Sequence, residues 1–325
     1  MGYNRADFVR IKAEYSEKYV RARELADERK FELHAKIPEV KAIDGMLAGT
    51  GSEIMSIIIS GKGNTEEQVA ALKKRNEDLL KRRAQILVAN GYRPDYSDVK
   101  YECEKCGDTG YVNTKMCECM KKALVLAGYE SSGLGGLIRT QSFDNFSLEY
   151  YRSSPGFDNM KMAFAGIKRF ADGFNADTYK NYLLLGPTGL GKTHLSTAVA
   201  KTVIERGYDV LYVSAVGMIG DFEARRFGVG SGDGNLRDTE RYYNADLLII
   251  DDLGTEVINQ FTVSCLYDVI NSRINNRKCT FVNTNFGPQE IQAKYTDRIA
   301  SRFMGEYSPI KFVGKDIRQQ KIGQR

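Results

Sequence analysis

The fold of this chain is decided by the stretch Gly186-Pro187-Thr188-Gly189-Leu190-Gly191-Lys192-Thr193. It fits the pattern G-x-x-x-x-G-K-[ST], in which a glycine-rich turn wraps around a phosphate. An apolar run before it predicts a buried strand, and the apolar spacing after it predicts a helix. A helix N-terminus behind such a turn directs backbone N–H groups and a partial positive charge at the phosphate. We therefore expect all eight residues to bind ATP phosphates, with Lys192 reaching the β- and γ-phosphates and Thr193 holding Mg²⁺.

A second motif lies roughly 60 residues downstream, where an apolar run of residues 247–250 ends in Asp251 and Asp252. This is a Walker B pattern, in which Asp251 would hold Mg²⁺ through its water shell and Asp252 would polarise the attacking water. A strand that ends in two aspartates is a weak signal alone. Downstream of a P-loop it becomes strong, because the two motifs must meet at one phosphate.

Two further positions carry candidate chemistry. The strand predicted over residues 279–285 ends in Asn285, which could hold the attacking water or could simply cap the turn before Pro288. Arg302 lies in a predicted helix near the end of the chain, four residues after Arg298. An arginine there suggests a finger that reaches the nucleotide of the next subunit. The alternative is an ordinary surface pair of arginines.

Four of the six cysteines lie close together with the spacing C-x2-C-x10-C-x-C, namely Cys103, Cys106, Cys117 and Cys119. Four thiolates at this spacing can surround one tetrahedral Zn²⁺. An iron–sulfur cluster would use the same ligand type, so zinc is favoured on frequency alone. Cys265 and Cys279 lie in apolar contexts, and we expect them to be core residues.

Length and composition limit the class of protein. A chain of 325 residues is long enough for about two domains, and a hydrophobic fraction of 42% supports a globular core. The net charge of +5 is compatible with nucleic acid but does not indicate it. The chain has no run of 18 apolar residues and no apolar signal-peptide core at its start. We therefore expect a cytoplasmic protein with no membrane partner.

The chain before the P-loop divides by pattern. Apolar residues at helical spacing predict a long helix over residues 5–34, a short helix that Gly49 and Gly51 end, a helix from Thr65 to residue 90, and a short helix at the start of residues 121–140. Glycine-rich residues 61–64 and 228–235 predict a turn and a loop, with a short helix after the loop over 236–244. The expected domains are these: 1–100, a helical partner-binding region; 101–122, a zinc knuckle; 123–140, a flexible linker; and 141–325, the ATPase domain.

The segments GPTGLGKT, LLIIDDLG, VNTN, DRIASRF and GKDIR occur in an order and spacing that carry a family resemblance. Residues 143–325 resemble the bacterial replicative helicase loaders of the DnaC/DnaI type, which are AAA+ ATPases of the initiator clade. The front half is similar to the DnaI-like branch, through CEKCGDTGY and GYRPDY. That branch has a helical helicase-binding domain with a cysteine zinc site.

The resemblance implies an α/β fold, with an AAA+ P-loop domain whose five parallel strands follow the order 5-1-4-3-2 after a small helical domain. It implies that Asn285 is a sensor, Arg302 a finger acting on the neighbouring subunit, and Arg318 a second sensor. Residues 216–244 would be the helical insertion of the initiator clade, with Arg225 and Arg226 as its basic candidates for DNA.

The function implied is ATP-dependent loading of the replicative helicase onto single-stranded DNA, with binding and hydrolysis of ATP as an assembly and release switch. The implied partners are the hexameric helicase, single-stranded DNA and further copies of this chain, and the implied cofactors are ATP, Mg²⁺ and Zn²⁺. Two alternatives stay open, which are a transposition helper ATPase of the IstB type and a P-loop kinase of small molecules. The long cysteine-bearing front half argues against the first, and the terminal Ser-Arg-Phe segment argues against the second.

Overall fold

The computed structural model describes four ranges of the chain: 3–60, 65–152, 154–227 and 239–322. These residues form two compact units. One unit is Lys12–Cys119, and the other is Met1–Ile11 together with Met120–Arg325.

The described residues of the unit Lys12–Cys119 form four helices, a stretch of turns over residues 90–110 and one short antiparallel hairpin. The buried side chains of Leu33, Ile37, Val40 and Leu87 pack its helices together. The elements are α1 Arg5–Lys36 (which begins in the other unit), α2 Pro38–Ala48, α3 Thr50–Ser60, α4 Thr65–Ala89, β1 Tyr111–Val112 and β2 Lys115–Met116. Helices α1, α2 and α4 follow the sequence prediction closely, because their apolar residues recur at helical spacing.

Helix α3 is not predicted by the sequence, since Gly49 and Gly51 indicate an end to the preceding helix. Gly49 instead stays right-handed, with φ −71°, and Glu53 N donates to Gly49 O at 3.1 Å. The stretch Pro38–Ile59 has a mean hydropathy of 1.3, and among the described residues it alone is long and apolar enough to cross a membrane. Such a stretch is weak evidence of a span, and its Asp44 pairs with Arg83 at 2.7 Å.

The second unit consists of helices on both faces of a parallel sheet. Its helices are α5 Glu118–Ser131 (which begins in the other unit), α6 Leu137–Thr140, α7 Phe157–Asp172, α8 Lys192–Glu205, α9 Ala215–Phe227, α10 Arg241–Asn244, α11 Gln260–Asn275, α12 Pro288–Lys294, α13 Asp297–Glu306 and α14 Ile317–Ile322. Its strands are β3 Asn181–Leu185, β4 Val210–Ser214, β5 Leu247–Leu253, β6 Cys279–Thr284 and β7 Tyr307–Lys311.

The strand order is β4-β5-β6-β3-β7, and the adjacent strands pair in parallel. Numbered within this sheet alone, the order is 5-1-4-3-2, so the predicted fold class is confirmed. Strand β3, which leads into the P-loop, lies between β6 and β7. The carboxyl ends of parallel strands meet at one edge, and ligands bind beyond that edge in open α/β sheets.

The sheet is buried on both faces, as a parallel sheet covered by helices requires. Tyr182 and Leu184 on β3 face one apolar cluster, and Leu183 and Leu185 face the other. This explains why β3 is a continuous apolar run rather than an alternating one. The rigid sheet fixes where its polar strand ends lie.

Residues 123–140 begin with the predicted short helix, but the rest of the segment differs from the flexible linker that its composition predicts. They are helical up to Ser131 and again in α6, and the side chains of Leu134 and Ile138 are buried. Tyr212 N on the edge strand β4 donates to Ser132 O at 2.7 Å. Because this segment accepts a backbone hydrogen bond from the edge strand and buries apolar side chains in the core, it is part of the sheet unit.

Three predicted segments fall at least partly outside the described residues. These are the turn at 61–64, the glycine-rich loop at 228–235 and the first part of the helix at 236–244. The described part of that last helix is α10, which begins at Arg241.

Candidate functional site

The P-loop joins β3 to α8 and closes against the end of the chain. Gly189 has φ +75°, a conformation that favours glycine, and a Cβ there would overlap the carboxylate of Asp316. Ile317 N donates to Gly189 O at 2.9 Å. The turn after β7 therefore packs directly on the phosphate-binding loop.

Lys192 is buried at the start of α8, and its ammonium points back into the loop. Its Nζ donates to Gly186 O at 2.5 Å, to Pro187 O at 2.8 Å and to Asn285 Oδ1 at 2.9 Å. Burial lowers the pKa of Lys192, while Asp252 and Asp251 oppose that shift. The structure thus brings the P-loop lysine and the strand-end asparagine into direct contact.

Asp251 is held by donors from three directions. Thr193 Oγ1 donates to Asp251 Oδ2 at 3.0 Å, and Asn283 Nδ2 donates to Asp251 Oδ1 at 2.7 Å. The hydroxyl of Tyr212 also donates to Asp251 Oδ2. Neither Asn283 nor Tyr212 is among the site residues predicted from the sequence. Asn283 lies on β6, two positions before Asn285, which directly follows the strand, so strand alternation was a usable signal for Asn283, whereas Tyr212 had none.

Asp252 turns away from Asp251 and lines the pocket, with a left-handed φ of +53°. Desolvation raises the pKa of Asp252, and the neighbouring Asp251 raises it further. Such strained backbone at a non-glycine residue is often found at functional sites. The two aspartates therefore occupy different positions, one against Thr193 and one facing the pocket.

One pocket of about 350 Å³ collects most of the predicted site residues. Thr188, Lys192, Asp252, Asn285 and Arg318 all line it. Arg318 reaches it because α14 begins against the P-loop. The pocket has the size and polar lining of a small-ligand site.

The other end of the pocket is lined by residues that the sequence analysis did not assign to the site. The His194 ring lies 2.8 Å from Asn145 Oδ1 and meets the Phe146 ring edge-on at 5.2 Å between centroids. Leu137 and Ile317 add apolar surface there. The aromatic segment before α7 was noticed in the sequence, but only as a family feature.

Arg302 lies on α13, half-buried, and is not among the described residues that line the pocket. Arg225 and Arg226 on α9 have contacts within their own unit. Arg225 donates to Thr239 Oγ1, and Arg226 lies 5.1 Å from the ring centroid of Phe261.

The four clustered cysteines converge in the unit Lys12–Cys119. Their sulfur atoms all lie within 4.8 Å of one another, with Cys103 and Cys117 at 3.9 Å and Cys106 and Cys119 at 3.6 Å. Tetrahedral zinc with bonds of about 2.3 Å requires sulfur separations of about 3.8 Å, so the donor set fits zinc. Hydrogen bonding, first from the backbone of Cys106, lowers the pKa of Cys103 to about 7.

The loop that carries the first cysteine pair is held by Asp108. Its two carboxylate oxygens accept from Glu102 N and Cys103 N, each at 2.8 Å. Burial and the neighbouring Cys119 raise the pKa of the Tyr15 hydroxyl. Cys265 is half-buried and Cys279 is fully buried, apart from the cluster.

Residues 156–304 match the protein family described as "IstB-like ATP binding protein". This stretch of the chain is therefore similar to an ATP-binding domain of that family. The P-loop, Asp251, Asp252 and Asn285 all lie inside the IstB-like domain, and Arg318 follows it. Nucleotide binding is therefore the activity that this domain and its pocket share.

Several of the similar proteins have names that refer to bacterial DNA replication. The replicative helicase loader DnaC of Buchnera aphidicola subsp. Acyrthosiphon pisum is 24% identical over 174 residues, 53% of this chain and 66% of the loader. The chromosomal replication initiator protein DnaA of Campylobacter jejuni subsp. doylei is 33% identical over 151 residues, 45% of this chain and 32% of DnaA. A crystal structure of DnaI aligns with a TM-score of 0.44 and 22% identity, over 55% of this chain and 91% of that one. The chain thus spans just under two thirds of the loader's length.

Proposed function

We propose that this chain is an ATP-dependent loader that places the replicative DNA helicase on single-stranded DNA when replication starts. The observation that carries the proposal is the meeting of Lys192, Asp252 and Asn285 in one pocket. The similarity to a protein named replicative helicase loader supplies the biological context. Binding and hydrolysis of ATP would switch the chain between assembly and release.

Lys192 explains how the pocket selects a polyphosphate. Its ammonium donates to three uncharged oxygens, and burial lowers its pKa. A triphosphate would replace those oxygens with charged ones, and hydrogen bonds to charged acceptors are roughly twice as strong. ATP would therefore add charged acceptors in direct contact with the ammonium, beside the negative charge of Asp251 and Asp252 nearby.

Hydrolysis would use the other side of the pocket. Asp252 would accept a hydrogen bond from the attacking water, Asn285 would orient that water, and Arg318 would contact the phosphates. The hydroxyl oxygen of Thr193 lies beside a carboxylate oxygen of Asp251. Oxygen atoms of this kind are the ligands that Mg²⁺ prefers. A bound Mg²⁺ would neutralise charge on the β- and γ-phosphates.

Arg302 would complete the site of a neighbouring copy. It lies outside the pocket of its own chain, as an arginine acting in trans must. Self-association through the ATPase domain would then be required for full activity, because the transition-state charge is stabilised by the neighbour.

Partner binding belongs, in this proposal, to the N-terminal helical region over residues 1–100. Helices α2 and α3 expose a set of large apolar side chains, Met46, Met55, Ile58 and Ile59. Exposed apolar surface of this kind marks an interaction site in many proteins. The hexameric replicative helicase is the partner we assign to it, and the cysteine cluster would hold one structural Zn²⁺ beside it in sequence.

Single-stranded DNA is the second macromolecular partner, and the cytoplasm is the proposed location. Arg225 and Arg226 on α9 are the basic candidates for contacts to DNA, since both are exposed; each also has a contact within its own unit. A mild net charge of +5 suits a protein that binds DNA in an assembly rather than alone.

The test is a loading assay with the host helicase, circular single-stranded DNA and the full chain. We expect ATP to increase the amount of helicase that remains on the circle, and Lys192→Ala to remove that increase. Equal amounts with and without the chain would contradict the proposal.

A second candidate, a transposition helper ATPase, is favoured by the description of the matched family. It would replace the first if the chain bound a transposase on DNA and did not bind the helicase.

A further inference from the structure

Residues 131–134 form what we call the edge strap, a short segment that lies along the outer side of β4. Tyr212 N donates to Ser132 O at 2.7 Å, and Arg241 Nη1 donates to Ser131 O at 2.7 Å. Gly133, with φ +82°, lies so close to Tyr212 O that a Cβ there would overlap it. Ser132 and Leu134 are buried, so the strap is fixed on the strand.

Strand β4 is an edge strand, which pairs only with β5 within the sheet. Edge strands have unpaired backbone groups on their outer side, and these leave the strand free to shift unless they are covered. Here the strap covers that side at Tyr212. The position of Tyr212 is therefore set from one side by β5 and from the other by the strap.

The side chain of Tyr212 crosses to the end of β5, where its hydroxyl donates to Asp251 Oδ2. The other oxygen, Oδ1, accepts from Asn283 Nδ2 at 2.7 Å, and the same amide donates to Ser196 Oγ at 2.8 Å. The carboxylate is thus hydrogen-bonded by one residue on β4 and one on β6. Strand β6 has a neighbouring strand on both sides, whereas β4 is an edge strand with a neighbouring strand on one side only.

We propose that Tyr212 is a positioning residue that fixes the Asp251 carboxylate for Mg²⁺, and that the edge strap fixes Tyr212. This rests on the proposed function, in which Asp251 holds the Mg²⁺ that accompanies ATP. Without the hydroxyl, Asp251 can rotate toward Thr193 and presents its oxygens less well. Tyr212 is not part of the P-loop, so its hydroxyl should affect the binding of Mg²⁺ and not the direct contacts between the P-loop and the phosphates.

The decisive variant is Tyr212→Phe, which removes one hydroxyl and keeps the buried ring. Binding of a fluorescent ATP analogue is measured in EDTA and then across a Mg²⁺ titration, with Tyr182→Phe on β3 as the matched control. Loss of a hydrogen bond to a metal ligand costs about 10–100-fold in metal affinity. We expect the half-saturating Mg²⁺ concentration to rise about tenfold in Tyr212→Phe only, with affinity in EDTA unchanged.

An unchanged Mg²⁺ midpoint in Tyr212→Phe, in a chain whose wild type binds the analogue with Mg²⁺, would overturn the positioning role. A wild type that binds no nucleotide would instead overturn the proposed function. The two failures are therefore distinguishable.

The strap is tested by a second matched pair, Gly133→Ala and Gly135→Ala. Both glycines have positive φ, +82° and +53°, so alanine strains both backbones, but only Gly133 lies against Tyr212. We expect the Mg²⁺ midpoint to rise in Gly133→Ala and to stay unchanged in Gly135→Ala. Equal midpoints would overturn the role of the strap. If Gly133→Ala does not fold, Arg241→Gln takes its place, because it removes the charged donor to Ser131 O and adds no Cβ at Gly133; the same rise in the Mg²⁺ midpoint is expected.

Discussion

The two clusters of candidate ligands in this chain rest on different supports. Asp251 lies at the end of β5, between β4 and β6, and side chains from both neighbouring strands hold its carboxylate. Three of the four cysteines lie outside helices and strands, around a hairpin of only two residues per strand, and Cys119 lies in the first turn of α5. A site built on a sheet can be in place before its ligand arrives. Thiols on short turns need the metal itself to hold them together.

The largest effect should come from removing the metal, because structural zinc supplies roughly 10–16 kcal/mol of apparent binding energy in small cysteine sites. We expect about one zinc per chain, and a chelator should unfold the region around residues 101–122 while the sheet unit melts as before. Elemental analysis and limited proteolysis measure the two effects. Cys103→Ser should lose the metal, and Cys265→Ser should keep it. A brown protein that contains iron would contradict zinc.

Next in size is the loss of hydrolysis in Arg302→Ala. An arginine finger that acts in trans raises kcat by about 10³–10⁵-fold in other P-loop enzymes. We expect a smaller factor in a protein that uses hydrolysis as a switch. Steady-state hydrolysis should fall sharply while ATP binding by the isolated subunit stays intact. Arg298→Ala, on the same helix, is the control.

Mixing Arg302→Ala with Lys192→Ala sharpens this test. The first variant brings an intact P-loop and the second an intact finger, so mixed interfaces should recover some hydrolysis. If the two variants demonstrably assemble and the mixture stays inactive, Arg302 does not act in trans.

Lys192→Ala should weaken ATP binding by about 2–5 kcal/mol, the usual cost of truncating one partner of a buried charged contact. The fold should survive, because the oxygens that Lys192 contacts can accept from water instead. Lys201→Ala on the same helix is the matched control for binding and for melting temperature. Nucleotide affinity equal to that of wild type would exclude Lys192 from the site.

Local sequence patterns were enough to predict the main motifs of the chain. The P-loop, the strand that ends in Asp251 and Asp252, and the cysteine spacing each carry their chemistry within a few residues. The strand order followed from the family resemblance, and the structure confirms it. Arg318 was assigned from the resemblance and Asn285 from its place at a strand end as well, and both line the pocket.

The features that sequence reasoning missed depend on contacts between distant residues. Tyr212 and Asp251 are 39 residues apart and meet only because β4 and β5 pair in one register. Ser132 was assigned to a linker because glycine and serine surround it, yet its carbonyl pairs with a strand edge 80 residues later. The composition of a segment indicates which backbone conformation it prefers in isolation. It does not show which distant residues the segment will pack against, and here those contacts decide its structure.

The central claim is that chemistry and partner docking reside in different regions, and one crossed measurement tests it. Two full-length variants, Lys192→Ala and Ile58→Glu, are each assayed for ATP binding and for co-purification with the host replicative helicase. Val88→Glu is the control for Ile58→Glu, because both side chains are 58% exposed in the same helical unit. We predict that Lys192→Ala loses ATP and keeps the helicase, and that Ile58→Glu keeps ATP and loses the helicase. A wild-type chain that does not co-purify with the helicase, or an Ile58→Glu chain that binds it as wild type does, would contradict the account.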